Sequence, residues 1–180
     1  MYKKAAFLLA SWFKVGYSPK ASGTCGSLAA IPFIILFAYF FGIVGVLCFA
    51  VFSFVVGWIV SHEVLKYTEH DPSLIVIDEV CGQTITFLSV AFVLQGNFSA
   101  DVWWIYAVGF GLFRLFDITK PSVIGKIDKE MQNAAGVMLD DVAAGVFAAI
   151  VLWGLVGGVQ MTLNHFSPSA RYLLTNTIGF

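Results

Sequence analysis

The stretch His70-Asp71-Pro72-Ser73-Leu74-Ile75-Val76-Ile77-Asp78-Glu79-Val80-Cys81-Gly82-Gln83 decides how the rest of the chain is read. It gathers His70, Asp71, Asp78 and Glu79 at the mouth of a segment that then turns almost wholly apolar, through Phe87, Leu88, Val90, Phe92 and Leu94. Two adjacent carboxylates opening a hydrophobic helix either cap that helix or hold something cationic. Acids near a helix N-terminus are favoured by the macrodipole in any case, so their surroundings must decide.

Those surroundings are apolar. The 180 residues are 59% hydrophobic and only 12% charged, with a mean hydropathy of +0.86. A soluble domain carries about 25% charged residues. Long apolar runs stand in their place here and predict an all-α, polytopic integral membrane helix bundle, with the bilayer as its partner. The net charge of −1 says nothing about partners, but the lack of a basic tract sets nucleic acid aside. Cys25, Cys48 and Cys81 are far apart and form no CxxC pair, so they read as small buried hydrophobes rather than zinc or redox groups. Lys3 and Lys4 precede a short apolar run, but Ser11-Trp12-Phe13-Lys14 offers no small-residue cleavage site. Residues 1–25 therefore predict a cytoplasmic segment with a helix lying in the membrane interface.

Five apolar segments are expected, at 26–42, 43–61, 74–95, 103–120 and 137–160, giving four to five apolar helices in one membrane-embedded domain over residues 1–160. Pro32 is expected to kink or delay the first, because it removes a backbone donor, and Gly42 and Gly45 mark a reversal before the second. Pro121 to Gly136 reads as the longest interior polar loop. If the segments alternate across the bilayer, Lys3, Lys4, Lys14, Lys20, Lys66, Lys126 and Lys129 fall on one side and Arg171 on the other. That side is the cytoplasmic one, which leaves residues 161–180 as a non-cytoplasmic tail.

The same topology places Asp78, Glu79, Arg114, Asp117, Lys120, Asp140 and Asp141 at the cytoplasmic end of the bundle. Intramembrane carboxylates are costly and mark functional sites. Five in one mouth repel unless protonated or neutralised by cations. Hard divalent ions such as Mg²⁺ take oxygen ligands and keep positions open for water and phosphate, while Arg114 and Lys120 suit a phosphate. Helix-end electrostatics also accounts for Asp78, Glu79, Asp140, Asp141 and Lys120, but for Asp117 near a C-terminus only through an i, i+3 pairing with Arg114. Ser22-Gly23-Thr24-Cys25-Gly26-Ser27 is a hydroxyl- and glycine-rich turn entering a helix. It can offer N–H groups to a phosphate, although plain capping by Thr24 or Ser27 is the commoner use. His70-Asp71 reads either as a helix start or as an acid/base or metal contributor.

A small ion-coupled transporter or channel is the rival reading. It requires acids spread through the membrane depth, whereas no charged residue lies between Gln83 and Gln95. Cysteine, Asp-x-Asp and histidine-nucleophile phosphatase motifs are missing, which leaves metal-assisted attack by water or a carboxylate nucleophile. The Asp-Gly-x-x-Ala-Arg signature of CDP-alcohol phosphatidyltransferases is missing too.

Four blocks occur in order. They are Gly23-Thr24-Cys25-Gly26-Ser27-Leu28-Ala29-Ala30-Ile31-Pro32; His70-Asp71 with Asp78-Glu79-Val80-Cys81-Gly82; Phe113-Arg114-Leu115-Phe116-Asp117-Ile118-Thr119-Lys120-Pro121; and Gly136-Val137-Met138-Leu139-Asp140-Asp141-Val142-Ala143-Ala144-Gly145. Together they resemble the bacterial phosphatidylglycerophosphatase A family over most of residues 16–150. The resemblance implies a Mg²⁺-dependent enzyme of the bacterial inner membrane that converts phosphatidylglycerophosphate to phosphatidylglycerol at the cytoplasmic face. It further implies Asp78, Glu79, Asp117, Asp140 and Asp141 as catalytic and metal residues, with Asp71 a further ligand and His70 a catalytic group. Thr24, Ser27, Arg114 and Lys120 are implied on the substrate.

Overall fold

The computed structural model describes residues 2–68, 73–93 and 103–164. Among these the fold is all-α, with six helices: α1 Tyr2–Ala10, α2 Ser22–Val64, α3 Ile77–Val93, α4 Trp103–Thr119, α5 Val123–Glu130 and α6 Ala134–Asn164. The polar turn expected at 95–99 and most of the expected tail lie outside the described residues. The last expected segment does not stop at 160, because α6 runs on to Asn164.

Two helices are long and apolar enough to cross a membrane: α2, and α6 over Ala134–Val159. The described parts of α3 and α4, 17 residues each, are about 26 Å long, against a hydrocarbon core about 30 Å thick. Of the expected four to five apolar helices, two are thus long enough to cross a membrane and two are shorter among the described residues. Segments 26–42 and 43–61 join in α2, and the helix passes through Pro32 unbroken. Its one non-helical residue is Gly42, at φ 59° and ψ −147°, a conformation open to glycine and costly for residues with a Cβ.

At Gly42 the chain turns back on itself. Phe37 and Phe49 stack with centroids 4.8 Å apart, and Phe33 and Phe49 at 6.3 Å. In a straight helix the 12 residues from Phe37 to Phe49 would span about 18 Å. Residues 22–41 and 43–64 are therefore two antiparallel arms, each about one hydrocarbon thickness long, and both ends of α2 lie at one end of the molecule. Trp12 locks α1 to this hairpin through rings on both arms, Phe33 at 5.1 Å and Phe49 at 6.0 Å. The Val76 N–H donates to the Ala10 carbonyl at 2.9 Å, which fixes the approach to α3 at the same end.

α3 is the central helix, packed between α2 and α6. Thr86 donates to the carbonyls of Gly82 and Gly145 at 3.1 and 3.4 Å and so bridges α3 and α6. A Cβ at Gly145 would collide with the backbone of Gly82, and one at Gly82 would lie 2.6 Å from the Asp141 carbonyl. The two glycines are the crossing point at which α3 and α6 touch backbone to backbone, as small residues allow in membrane helices.

The core is largely apolar, but polar side chains share it and the exterior is apolar as well. Ser53, Ser61, Gln83, Thr84 and Thr86 are buried, while Phe40, Phe41, Phe52, Trp58, Ile150 and Trp153 face outward. An exterior this apolar fits a lipid surround. Cys81 is buried as expected, but Cys48 is exposed on this outer surface.

Candidate active site

The start of α2, the start of α3, the end of α4 and the second turn of α6 meet at one end of the bundle around a cavity of about 480 Å³. Asp78, Glu79, Arg114, Asp117, Lys120, Asp140 and Asp141 all line it. Adjacent helical residues point about 100° apart. Both members of each acidic doublet nevertheless reach the cavity, because its wall wraps around the ends of α3 and α6.

Asp78 and Glu79 occupy the first turn of α3, and the Glu79 N–H donates to Asp78 Oδ1 at 3.0 Å. Helix-end electrostatics therefore does act on this doublet. The second doublet is different. α6 starts earlier than expected, capped by Asn133 Oδ1, which accepts from the N–H groups of Ala135 and Gly136 at 2.9 and 3.1 Å. Asp140 and Asp141 consequently lie beyond the first turn, where the dipole effect has faded. Their exposures are only 7% and 4%.

Carboxylate oxygens of Asp78, Glu79 and Asp141 come within 4.8 Å of one another, and Glu79 Oε2 is buried without a hydrogen-bond partner. This is a hard, all-oxygen donor set with an unused lone pair, and it fits a divalent cation. Around it stand two bases. Arg114 Nη1 bonds to Asp117 Oδ2 at 2.5 Å and lies 3.9 Å from Glu79 Oε1. Lys120 Nζ is 2.7 Å from Asp140 Oδ2 and 2.5 Å from Asp128 Oδ1. Burial works against the charge of Lys120, but its two carboxylate partners more than offset this and hold the ammonium above the usual lysine range.

The capping expectation for Thr24 and Ser27 does not hold. α2 begins at Ser22, and its N-cap, Ala21, makes no side-chain hydrogen bond. Ser27 lies buried one turn in, donating to the Gly23 carbonyl at 2.8 Å and accepting from Arg114 Nη1 at 3.4 Å. Thr24 is half-buried in the first turn. Ala21, Ser22 and Gly23 line the cavity, so the N-terminus of α2 faces it without a side-chain cap. Any side chain at Gly23 would collide with Glu79 Oε1. His70 and Asp71 lie outside the described residues, though Ser73 and Ile75, just after them, line the cavity.

One wall was not legible in advance. The stretch after Pro121, expected as a loop, contains α5, and Asp128 on α5 joins the cavity. The available signal was Ile124, Ile127 and Met131 at i, i+3 and i+7, an apolar helical stripe with Lys126, Lys129 and Glu130 opposite it.

The family model for phosphatidylglycerophosphatase A matches residues 8–156. The phosphatidylglycerophosphatase A of Escherichia coli is 36% identical over 153 residues, covering 81% of this chain and 80% of the relative. That of Haemophilus influenzae is 35% identical over 149 residues, covering 82% and 86%. A Bacteroides thetaiotaomicron protein provisionally named a phosphatidylinositol-3-phosphatase is 33% identical over 152 residues, covering 81% and 89%. No solved structure matches the chain.

Proposed function

The chain belongs to the phosphatidylglycerophosphatase A family, whose reaction converts phosphatidylglycerophosphate to phosphatidylglycerol and phosphate, and we propose that the acidic cavity is where this chain carries it out. The observation that carries the reading is the convergence of Asp78, Glu79 and Asp141 oxygens within 4.8 Å, in a cavity that also holds two bases and the start of α2.

Asp78, Glu79 and Asp141 would hold Mg²⁺, with Asp117 and Asp140 at the edge of the set. When bound, the ion would polarise the phosphomonoester and acidify a water. The chain's own groups do the rest. Lys120 and the free N–H groups of the α2 N-terminus neutralise the phosphate oxygens as charge builds in the transition state. Arg114, pinned by Asp117, braces Glu79 and adds positive charge to the wall. The departing lipid alkoxide needs a proton, and His70 is the group proposed to supply it. Asp71 is proposed as a further ligand.

The enzyme is proposed to sit in the bacterial inner membrane, with residues 1–160 as one catalytic domain and the cavity at the cytoplasmic face. Both ends of α2, together with the lysine-bearing segments that flank them, lie at the cavity end, which supports that orientation. Lipid tails would stay against the apolar exterior of α2 and α6 while the headgroup reaches sideways into the cavity. The outer ends of α3 and α4 and the residues after α6 would face the other side.

The test is phosphate release by purified protein in mixed micelles. Mg²⁺-dependent release from phosphatidylglycerophosphate, faster than from phosphatidylinositol 3-phosphate, is expected. No release from the first lipid sinks the reading, and a reversed preference reassigns the substrate.

A further inference from the structure

Lys120 is shared between two carboxylates, only one of which belongs to the acidic set of the site. We propose that Asp128 is a positioning residue: it draws the Lys120 ammonium off Asp140 and holds it at the cavity wall, where it can meet the substrate phosphate. The proposal rests on the phosphatase reading above.

An ammonium has three donors. Asp140 Oδ2 at 2.7 Å and Asp128 Oδ1 at 2.5 Å take two of them, leaving one for the cavity that Lys120 lines. If Asp140 were its only partner, Lys120 would close a simple pair with it. The charge of an acid at the edge of the metal set would then be cancelled, and the lysine would be withdrawn from substrate. A second acid divides the lysine's charge and keeps the group negative overall.

The fold builds this arrangement without relying on the ion pair. Ile124 is fully buried in a small cluster with Phe113, Ala144 and Ala148, which clamps α5 against α4 and α6. Asp128 follows one turn later on the same face, while Lys126, Lys129 and Glu130 are exposed on the other. A Cβ on Gly125 would come within 2.7 Å of the Lys120 carbonyl, so α5 is pressed against the very turn that carries Lys120. That turn is tight, with Lys120 at φ 42° and Ser122 at φ 46°. The Lys120 and Asp128 side chains are 28% and 36% exposed. A pair this open contributes little stability, so its effect should fall on geometry.

The experiment compares full-length Asp128→Ala, Asp128→Glu, Lys120→Ala and the double variant Lys120→Ala/Asp128→Ala. It measures kcat and KM on phosphatidylglycerophosphate, thermal unfolding, and the rate at which an amine-reactive reagent labels Lys120, read by mass spectrometry. Asp128→Ala should lower kcat/KM about 10- to 100-fold, the range for partners that orient a reacting group, with unchanged unfolding and altered Lys120 labelling. Asp128→Glu should recover most of the loss, and the double variant should be no worse than Lys120→Ala. Additive losses, or Lys120 labelling unchanged by Asp128→Ala, overturn the proposal. Absent wild-type turnover sinks the phosphatase reading and the catalytic half of this one, while labelling still judges whether Asp128 holds Lys120.

Discussion

The two acidic doublets, Asp78-Glu79 and Asp140-Asp141, look alike in sequence, each flanked by aliphatic residues with a glycine four positions after one acid. The fold treats their members differently. Glu79 lies near Arg114, and Asp140 is bonded to Lys120. Among the described residues, neither Asp78 nor Asp141 has a basic group within ion-pair distance. The order is mirrored, with the bare acid first in one doublet and second in the other. Buried charges persist only when compensated; under the proposed function the bare Asp78 and Asp141 would hold the cation together with the unpartnered Oε2 of Glu79, and Asp140 would stand with Lys120 beside it.

The sharpest way to break this comparison is to neutralise the acids one at a time. Asp78→Asn and Asp141→Asn should each lower kcat by about 10²- to 10³-fold, the scale of removing a group that acts on the transition state. Asp140→Asn should cost less, about 10- to 100-fold, as for a group that orients others. Equal losses at Asp140 and Asp141, measured by phosphate release, would erase the distinction. Spreading the doublets apart comes next. Gly145→Ala forces α3 from α6 and should destabilise by about 1–3 kcal/mol, the usual scale of overpacking, with lower Tm in detergent and lower activity. Gly154→Ala, where an added Cβ meets nothing within 4 Å, should leave both unchanged.

A smaller effect is expected at the arginine. Arg114→Lys keeps the charge but loses the guanidinium whose Nη1 meets Asp117, Glu79 and Ser27 together. Activity should fall by about 10-fold, and a lysine that fully replaces it would reduce Arg114 to a point charge. The smallest effect belongs to Gln83, one turn below Glu79, whose two amide atoms are buried without hydrogen-bond partners. Removing an unsatisfied buried polar group is neutral or stabilising, so Gln83→Met should keep activity and leave Tm equal or higher. A loss of turnover there would bring Gln83 into the site.

Much of this arrangement was legible from local rules. Apolar run lengths gave the α-helical class, Gly42 gave the reversal, and the spacing of the charged residues brought them to one end. Each of those depends on a residue and its near neighbours. The features that escaped depend on contacts between distant segments. Pro32 looked like a break, yet neither it nor its neighbours leave helical geometry, and the chain bends ten residues later. α5 is only eight residues long, and although Ile124, Ile127 and Met131 recur at helical spacing, two turns between Pro121 and Gly136 are short enough to pass for a loop. Asp128 becomes visible only once α5 is folded against Lys120. Ser27 looked available to a phosphate or a cap, and its buried contact with Arg114 depends on α4 arriving 87 residues later.

The central claim is that carboxylates left bare by the fold hold the divalent ion on which hydrolysis depends. It is tested most directly by titrating Mg²⁺ against phosphate release from phosphatidylglycerophosphate for wild type, Asp140→Asn and Asp141→Asn. A saturable Mg²⁺ requirement is predicted in wild type, a requirement shifted to higher Mg²⁺ in Asp140→Asn, and no recovery at any concentration in Asp141→Asn. Full wild-type release in the presence of chelator, or a wild-type Mg²⁺ curve for Asp141→Asn, would contradict it.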